Sequence, residues 1–433
     1  MRAKNTMVLS TSINEEGEIN QAYKVERYGF SQKCYGSVKK IRNLLTSRNK
    51  NDTINYQFRC EVFDLIKKFE VENFKGFNKK IVFDLNARDY AFNKHIVVNG
   101  IVNKAIVYGK NGVGKSSLGI ALFDVIWHLT DKERMPVYYL SNYLNLESNV
   151  GYAVFHYEFQ FDQDEIVYEY GKRDPDSLVY ETLWINKETV IDYHYFDRNR
   201  RFVNNELRGD LNIELIDNRL SIVKYIYRNK PTNSESPLTK MMQFCERMLW
   251  YRSLSDGNCY CGFSNGRAGI IERIYEGGKL RDFEEFLRSN GLDYKLKFVN
   301  NNGIHELYAV YEKGQKMTPF LTVASTGTMA LLLYYYWSIS AFDKISFLFI
   351  DEFDAFFHYE SAENIILRLN KANSFQTVLT SHNTYLMQNA LTRPDCCYIM
   401  TENRISSLFN STDKEIREAH NLEKMYINGA FND

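Results

Sequence analysis

Residues 109 to 116 of this 433-residue chain read Gly109-Lys110-Asn111-Gly112-Val113-Gly114-Lys115-Ser116, a complete G-x-x-x-x-G-K-S spacing. Three glycines at these positions let the backbone curl until its N–H groups face one point, a nest suited to a phosphate. Lys115 adds a point charge for β- and γ-oxygens, and Ser116 a hydroxyl for a divalent cation. Both flanks have the form such a loop requires. Ala105-Ile106-Val107-Tyr108 predicts a strand leading in, and Ser117 to Ile126 has helical apolar spacing leading out. The phosphates would then lie at a helix N-terminus, where unpaired amides and the macrodipole favour anions. These residues predict a nucleotide site with ATP and Mg²⁺ as cofactors and Gly109 to Ser117 on its phosphate side.

Two further segments offer chemistry to such a site. Phe347-Leu348-Phe349-Ile350-Asp351-Glu352 is four apolar residues ending in two acids, the form of a buried strand that delivers carboxylates to a sheet edge. Asp351 would hold Mg²⁺, and Glu352 would orient and activate the attacking water. Gln376-Thr377-Val378-Leu379-Thr380-Ser381-His382-Asn383 predicts another strand, ending at a histidine about thirty residues after the acids. Upstream, Ala324-Ser325-Thr326-Gly327-Thr328 opens a helical apolar run at Met329 to Ile339, where a serine or threonine is also an ordinary N-cap.

The elements that must position these groups occupy most of the chain. Residues 1–57 form a polar N-terminal extension, with 46–52 as its strongest loop. Residues 58–433 hold the nucleotide chemistry, and 130–320 are an insertion between the phosphate loop and the acids. Lys68 to Phe77 and Lys80 to Leu85 predict two strands ahead of the phosphate loop. The insertion begins with aromatic-rich strands, Tyr152 to Phe161, Glu165 to Tyr170 and Leu178 to Ile185, as in an antiparallel meander. Helices are predicted over Leu238 to Trp250 and near Leu280 to Ser289. No sustained heptads predict a long coiled-coil arm, and no internal repeat is apparent.

Composition narrows the class. Hydrophobic residues make up 44% and only six residues are proline, so a sizeable core is available. The 54 basic residues balance the 54 acidic ones, which gives no global argument for nucleic acid or membrane as a partner. The N-terminus lacks the apolar core of a signal peptide, and the longest apolar block, Met329 to Trp337, is too short for a membrane span. A cytoplasmic location is expected, and seven cysteines, an odd number, fit a reducing compartment. Cys259-x-Cys261 and Cys396-Cys397 have no nearby histidine at zinc-ligand spacing.

Phosphate loop, Ser-Gly helix start, acidic strand and histidine, in that order, resemble an ABC-type ATPase head over about residues 62 to 433. Within that class the chain resembles the OLD-like ATPases of bacterial phage defence in three segments: Phe69 to Phe77, Asp351 to His358, and Asn421 to Phe431. The resemblance implies a P-loop α/β head with a mixed central sheet, an aromatic-rich antiparallel β subdomain and a helical lid. It implies Glu352 as the base, Asp351 and Ser116 as Mg²⁺ partners, and His382 as a γ-phosphate sensor. Ser325, Thr326 and Gly327 would form a degenerate signature that faces ATP held by a neighbouring subunit, so the catalytic unit would be a head-to-tail pair within a homo-oligomer. The chain departs from the pattern in lacking a recognisable Q-loop glutamine after the first helix.

Many OLD-like relatives carry a fused Toprim nuclease. This chain ends soon after the tail segment, which predicts a separate nuclease polypeptide. Stand-alone ATPases of this kind resemble the ATPase component of PARIS defence systems, with a Toprim-type partner, and less closely the Septu ATPase, with an HNH partner. The implied function is a sensor that releases its nuclease when a phage-encoded trigger protein binds. The alternative is a DNA-maintenance ATPase similar to RecF or the SMC-like heads. Neutral charge and missing coiled-coil arms count against it, and Arg198-Asn199-Arg200-Arg201 reads as a solvated turn more readily than as a DNA patch. An ABC transporter subunit fits less well, given the degenerate signature and the large insertion.

Overall fold

A computed structural model describes residues 7–13, 19–27, 30–32, 64–132, 141–214, 216–230, 233–252, 260–262 and 269–431. The predicted loop at 46–52 and Cys259 lie outside the described residues. The chain divides into two compact units, Met1–Val62 and Phe63–Asp433. In the first, strands Met7–Ile13, Ile19–Arg27 and Phe30–Gln32 pair antiparallel in chain order.

The second unit is built around a seven-stranded mixed sheet. From one edge its order is Tyr260–Gly262, Met248–Arg252, Phe347–Asp351, Gln376–Ser381, Lys104–Tyr108, Cys397–Thr401 and Arg404–Ser407. The five inner strands are parallel and the two edge strands antiparallel. Near-continuous apolar runs suit such strands because both faces are covered. Alternate residues serve two cores: Ala105, Val107, Phe347, Phe349 and Val378 face one, while Ile106, Tyr108, Leu348, Ile350 and Leu379 face the other. The parallel strands therefore deliver Gly109, Asp351 and His382 to the same end of the sheet.

On the first face lies the helix Lys115–Leu129, apolar nearly all round because it is sandwiched between sheets. Its other cover is a seven-stranded antiparallel sheet, ordered Arg201–Val203, Glu188–His194, Ser177–Ile185, Asp164–Asp174, Ala153–Phe161, Asp64–Glu72 and Ile81–Asp84. Strands from before the phosphate loop and from the insertion thus share one sheet. Their alternation of buried and half-buried residues, clearest over Ala153–Phe161, marks one face packed and one face wet.

Two buried polar contacts fix this layering. Gln376 accepts from Ile66 N at 2.9 Å and donates to Ile66 O at 2.9 Å and Val102 O at 2.8 Å, which joins the two sheets through one amide. Deeper, Lys172 Nζ lies 2.8 Å from Asp124 Oδ1 with both side chains fully enclosed. Tyr170 and Tyr143 also donate to Asp124, at 2.9 and 3.0 Å. The carboxylate is fully partnered, as a buried charge must be.

On the second face, helices Thr326–Ser340 and Tyr359–Lys371 pack on the sheet, together with Ile270–Glu276 and Leu280–Ser289 from the lid region. A small sheet, Leu296–Asn301, Ile304–Tyr311 and Lys316–Pro319, adjoins them. One expectation needs correction here. The helix predicted to run to Trp250 covers only Pro237–Glu246, and Met248–Arg252 is an inner strand of the central sheet. An unbroken apolar run does not by itself distinguish a buried helix turn from a buried strand.

Candidate functional site

The phosphate loop joins the strand Lys104–Tyr108 to the helix Lys115–Leu129. Gly114 takes φ +105°, and a Cβ there would stand 2.6 Å from the Phe77 ring, so only glycine fits this turn. Lys110, Asn111 and Gly112 are exposed, Gly109 and Val113 half-buried, and Ser117 lies in the first helical turn. Lys115 folds back over the loop, donating to Gly109 O at 2.7 Å and Lys110 O at 3.0 Å. Burial lowers its pKa, while Asp351, Glu352 and Asp354 pull it back up.

Asp351 ends its strand with no exposed surface. It accepts from Thr380 Oγ1 at 2.8 Å, and the Ser116 hydroxyl is near enough to help hold its pKa down. Burial raises its pKa against those two hydroxyls and the nearby Arg252. Its Oδ2 has no hydrogen-bond partner among the described residues. Ser116 and an under-coordinated buried carboxylate make an oxygen set of the kind Mg²⁺ takes, and a cation there would offset the charge that burial penalises.

Glu352 turns out of the strand with φ +49°, an uncommon conformation for a glutamate. Its N–H donates to the same Thr380 Oγ1 at 2.7 Å, so Thr380 ties the two acids together. Its carboxylate meets Arg252, with Nη2 2.8 Å from Glu352 Oε2. Beyond them, Ser381 Oγ donates to Asp354 Oδ2 at 2.8 Å, and Asp354 has its pKa raised by burial. His382 follows Ser381, exposed and within electrostatic reach of Asp354.

The signature residues stand apart from this group. Ser325 and Thr326 are exposed, and Ser325 caps the helix Thr326–Ser340 by accepting from Thr328 N at 3.2 Å. Its hydroxyl also meets Thr328 Oγ1 at 2.9 Å. A Cβ on Gly327 would lie 2.6 Å from Phe356 O, so this turn rests against the loop that follows the acids. Within one chain, the structure gathers Lys115, Ser116, Asp351 and Glu352, and leaves Ser325 and Thr326 presented outward, with Gly327 packed behind them.

Residues 104–388 match the family described as "AAA domain, putative AbiEii toxin, Type IV TA system". The chain belongs to that family. The protein is accordingly a P-loop ATPase, and membership implies ATP, with Mg²⁺, as its cofactor. No curated protein matches the chain. Among solved structures, the SmcHead bound to the C-winged helix domain of ScpA is similar at 17% identity and a TM-score of 0.44, over 79% of this chain and 97% of that one. An Smc head with an extended coiled coil from Pyrococcus furiosus gives 14% and 0.42, over 80% and 96%. RecF-ATP of the RecFOR pathway gives 12% and 0.36, over 80% and 100%.

Two residues of the candidate site escaped the sequence. Thr380 lies inside the strand predicted from Gln376 with no role assigned to it, and Arg252 lies just beyond the helix predicted to end at Trp250. The signal for Arg252 was available: Met248-Leu249-Trp250-Tyr251-Arg252 has the same form as the acidic strand, apolar residues followed by a charge. No helix of the described residues is long and apolar enough to cross a membrane. Nor do the described residues contain a cluster of three or more His, Cys, Asp or Glu side chains able to hold a metal.

Proposed function

We propose that this ATPase works as the sensor and scaffold of an anti-phage defence system, with ATP bound between two copies of the chain. Lys115 and the loop amides would hold the phosphates, Ser116 and Asp351 the Mg²⁺, Glu352 the attacking water and His382 the terminal phosphate. Bound Mg²⁺ would supply charge neutralisation at the phosphates. The chain's own residues orient the water and accept its proton at Glu352. The observation that carries the two-copy reading is the outward placement of Ser325, whose hydrogen bonds stay within its own helix start.

Closure of the pair on ATP would be the two-state element, and a phage-encoded trigger protein would bias it toward release of a separate, Toprim-type nuclease. The OLD-like motifs support this assignment, as does the toxin named in the family description. PARIS is the preferred system type.

Mixing two inactive variants tests the site. In a Lys115→Ala and Ser325→Arg mixture, each mixed pair keeps one site with both residues intact. Each variant alone is expected to be inactive, and the mixture to regain about a quarter of wild-type ATP turnover if pairing is random and two-fold symmetric. A mixture that stays inactive, or a Ser325→Arg protein as active as wild type, would remove the shared site. The defence assignment has its own test: co-purification with the nuclease encoded beside it, altered by Lys115→Ala. Undiminished protection by Lys115→Ala cells would sink that assignment.

A further inference from the structure

Met248–Arg252 runs parallel to the acidic strand in a register that sets Arg252 opposite Asp351 at their common end. The guanidinium reaches both acids there, with Nη2 2.8 Å from Glu352 Oε2 and Nε 3.5 Å from Asp351 Oδ2. Its side chain is 17% exposed, so water screens these contacts only in part. Lys115, the other cation near the acids, is turned onto the carbonyls of Gly109 and Lys110. Among the described residues, Arg252 is the cation in ion-pair contact with Asp351 and Glu352.

That arrangement gives Glu352 a close cation and disarms it as a base, while Asp351 Oδ2 keeps no hydrogen bond. A Glu352 oxygen engaged by a guanidinium is a weaker acceptor for a water proton, because the cation stabilises the carboxylate. Two events on nucleotide arrival act against the pair. Mg²⁺ beside Asp351 would repel the guanidinium, and a phosphate offers it a doubly charged partner whose geometry suits its planar fork.

We infer that Arg252 is a nucleotide-operated latch, which holds Glu352 in the nucleotide-free protein and exchanges it for the terminal phosphate when ATP binds. No bond to carbon or phosphorus changes in this step; one ion pair is traded for another. The exchange frees Glu352 for water only when a γ-phosphate is present to hold Arg252 away. The inference rests on the nucleotide site proposed above and assigns it an arginine from the same chain.

The test separates a phosphate contact from a structural one. Glu352→Gln already breaks the carboxylate–guanidinium pair while keeping the shape of the side chain. In that background, any further effect of Arg252→Gln reports what the arginine does for nucleotide. Binding of fluorescent ATP and ADP analogues with Mg²⁺ would be measured by titration. The Glu352→Gln/Arg252→Gln protein is expected to bind the ATP analogue about 10-fold more weakly than Glu352→Gln, with ADP within about 2-fold, since a charge-assisted contact to the terminal phosphate is lost.

Equal ATP affinity in the two proteins overturns the latch, as does equal loss for ATP and ADP. Arg252→Lys in the same background keeps the charge and covers the case in which Arg252→Gln does not fold. It is expected to show a smaller but still ATP-selective loss, and its absence counts against the latch equally. Lys115→Ala, titrated alongside, should lose both nucleotides. If it binds both as wild type does, the fault lies in the nucleotide site itself and not in the latch.

Discussion

At the residue scale, charges in this protein are paired off before any ligand arrives: Lys115 with its own loop carbonyls, and Glu352 with Arg252. A site arranged in this way must exchange partners in order to bind, and its affinity will be the difference between old and new contacts. The same pairing habit appears on the outer face of the antiparallel sheet, where His156 Nδ1 lies 2.9 Å from Glu169 and Nε2 3.6 Å from Glu158. Burial disfavours the charged ring, but hydrogen bonds to Glu158 and Glu169 outweigh it and push the pKa up to about 9. The hydrogen bond from His156 pulls Glu158 down to about 2. A raised histidine pKa stabilises the fold fully below pH 6.5 and loses that contribution as pH rises through about 9. The lowered Glu158 contributes above pH 4.5 and loses its share as pH falls toward 2. Urea denaturation should therefore show stability falling by about 1–2 kcal/mol between neutral and mildly alkaline pH, and His156→Gln should flatten that fall. An unchanged slope in the variant would show that His156 is not the titrating group.

At the element scale, the phosphate-loop helix is held by the insertion as well as by the central sheet, through the Lys172–Asp124 pair that joins strand to helix. Removing the cation leaves a bare carboxylate in an apolar layer. Lys172→Met is expected to cost about 3–5 kcal/mol, and adding Asp124→Asn should recover part of that, because the amide carries no charge, its oxygen accepts from one of the two tyrosines and its NH2 donates to the hydroxyl of the other. Denaturant titration of the single and double variants measures the coupling, and a loss below about 1 kcal/mol in Lys172→Met would mean the pair is not sealed from water. The strands and helix around the phosphate loop were legible in sequence because their apolar spacing is local and the loop punctuates it. The meander from Ala153 was legible for the same reason. Its pairing with Asp64–Glu72 was not, since alternation tells which face a residue takes and not which strand lies alongside. The strand carrying Arg252 was missed at the other limit: Met248 to Tyr251 is apolar on both faces, and a run buried on both sides has no period to read.

At the scale of the whole molecule, one chain supplies a phosphate loop, two acids and an outward-facing helix start. In the proposed pair, ATP would bridge copies and hydrolysis would part them. Glu352→Gln, which keeps the binding groups but cannot take the water proton, should accumulate as a larger species in ATP and Mg²⁺ when followed by light scattering. Adding Lys115→Ala or Ser325→Arg to it should prevent that species, and a Glu352→Gln mass unaffected by ATP would argue against nucleotide-bridged assembly. The amide of Gln376 has a different consequence, one of timing. It closes contacts with Ile66 that lie 310 residues away along the chain. During synthesis, the strand that leads into the phosphate loop must wait for its neighbour Gln376–Ser381, made well over 200 residues later. Both of its edges stay unpaired throughout that interval, so the nascent chain carries an open strand long before it carries an enzyme.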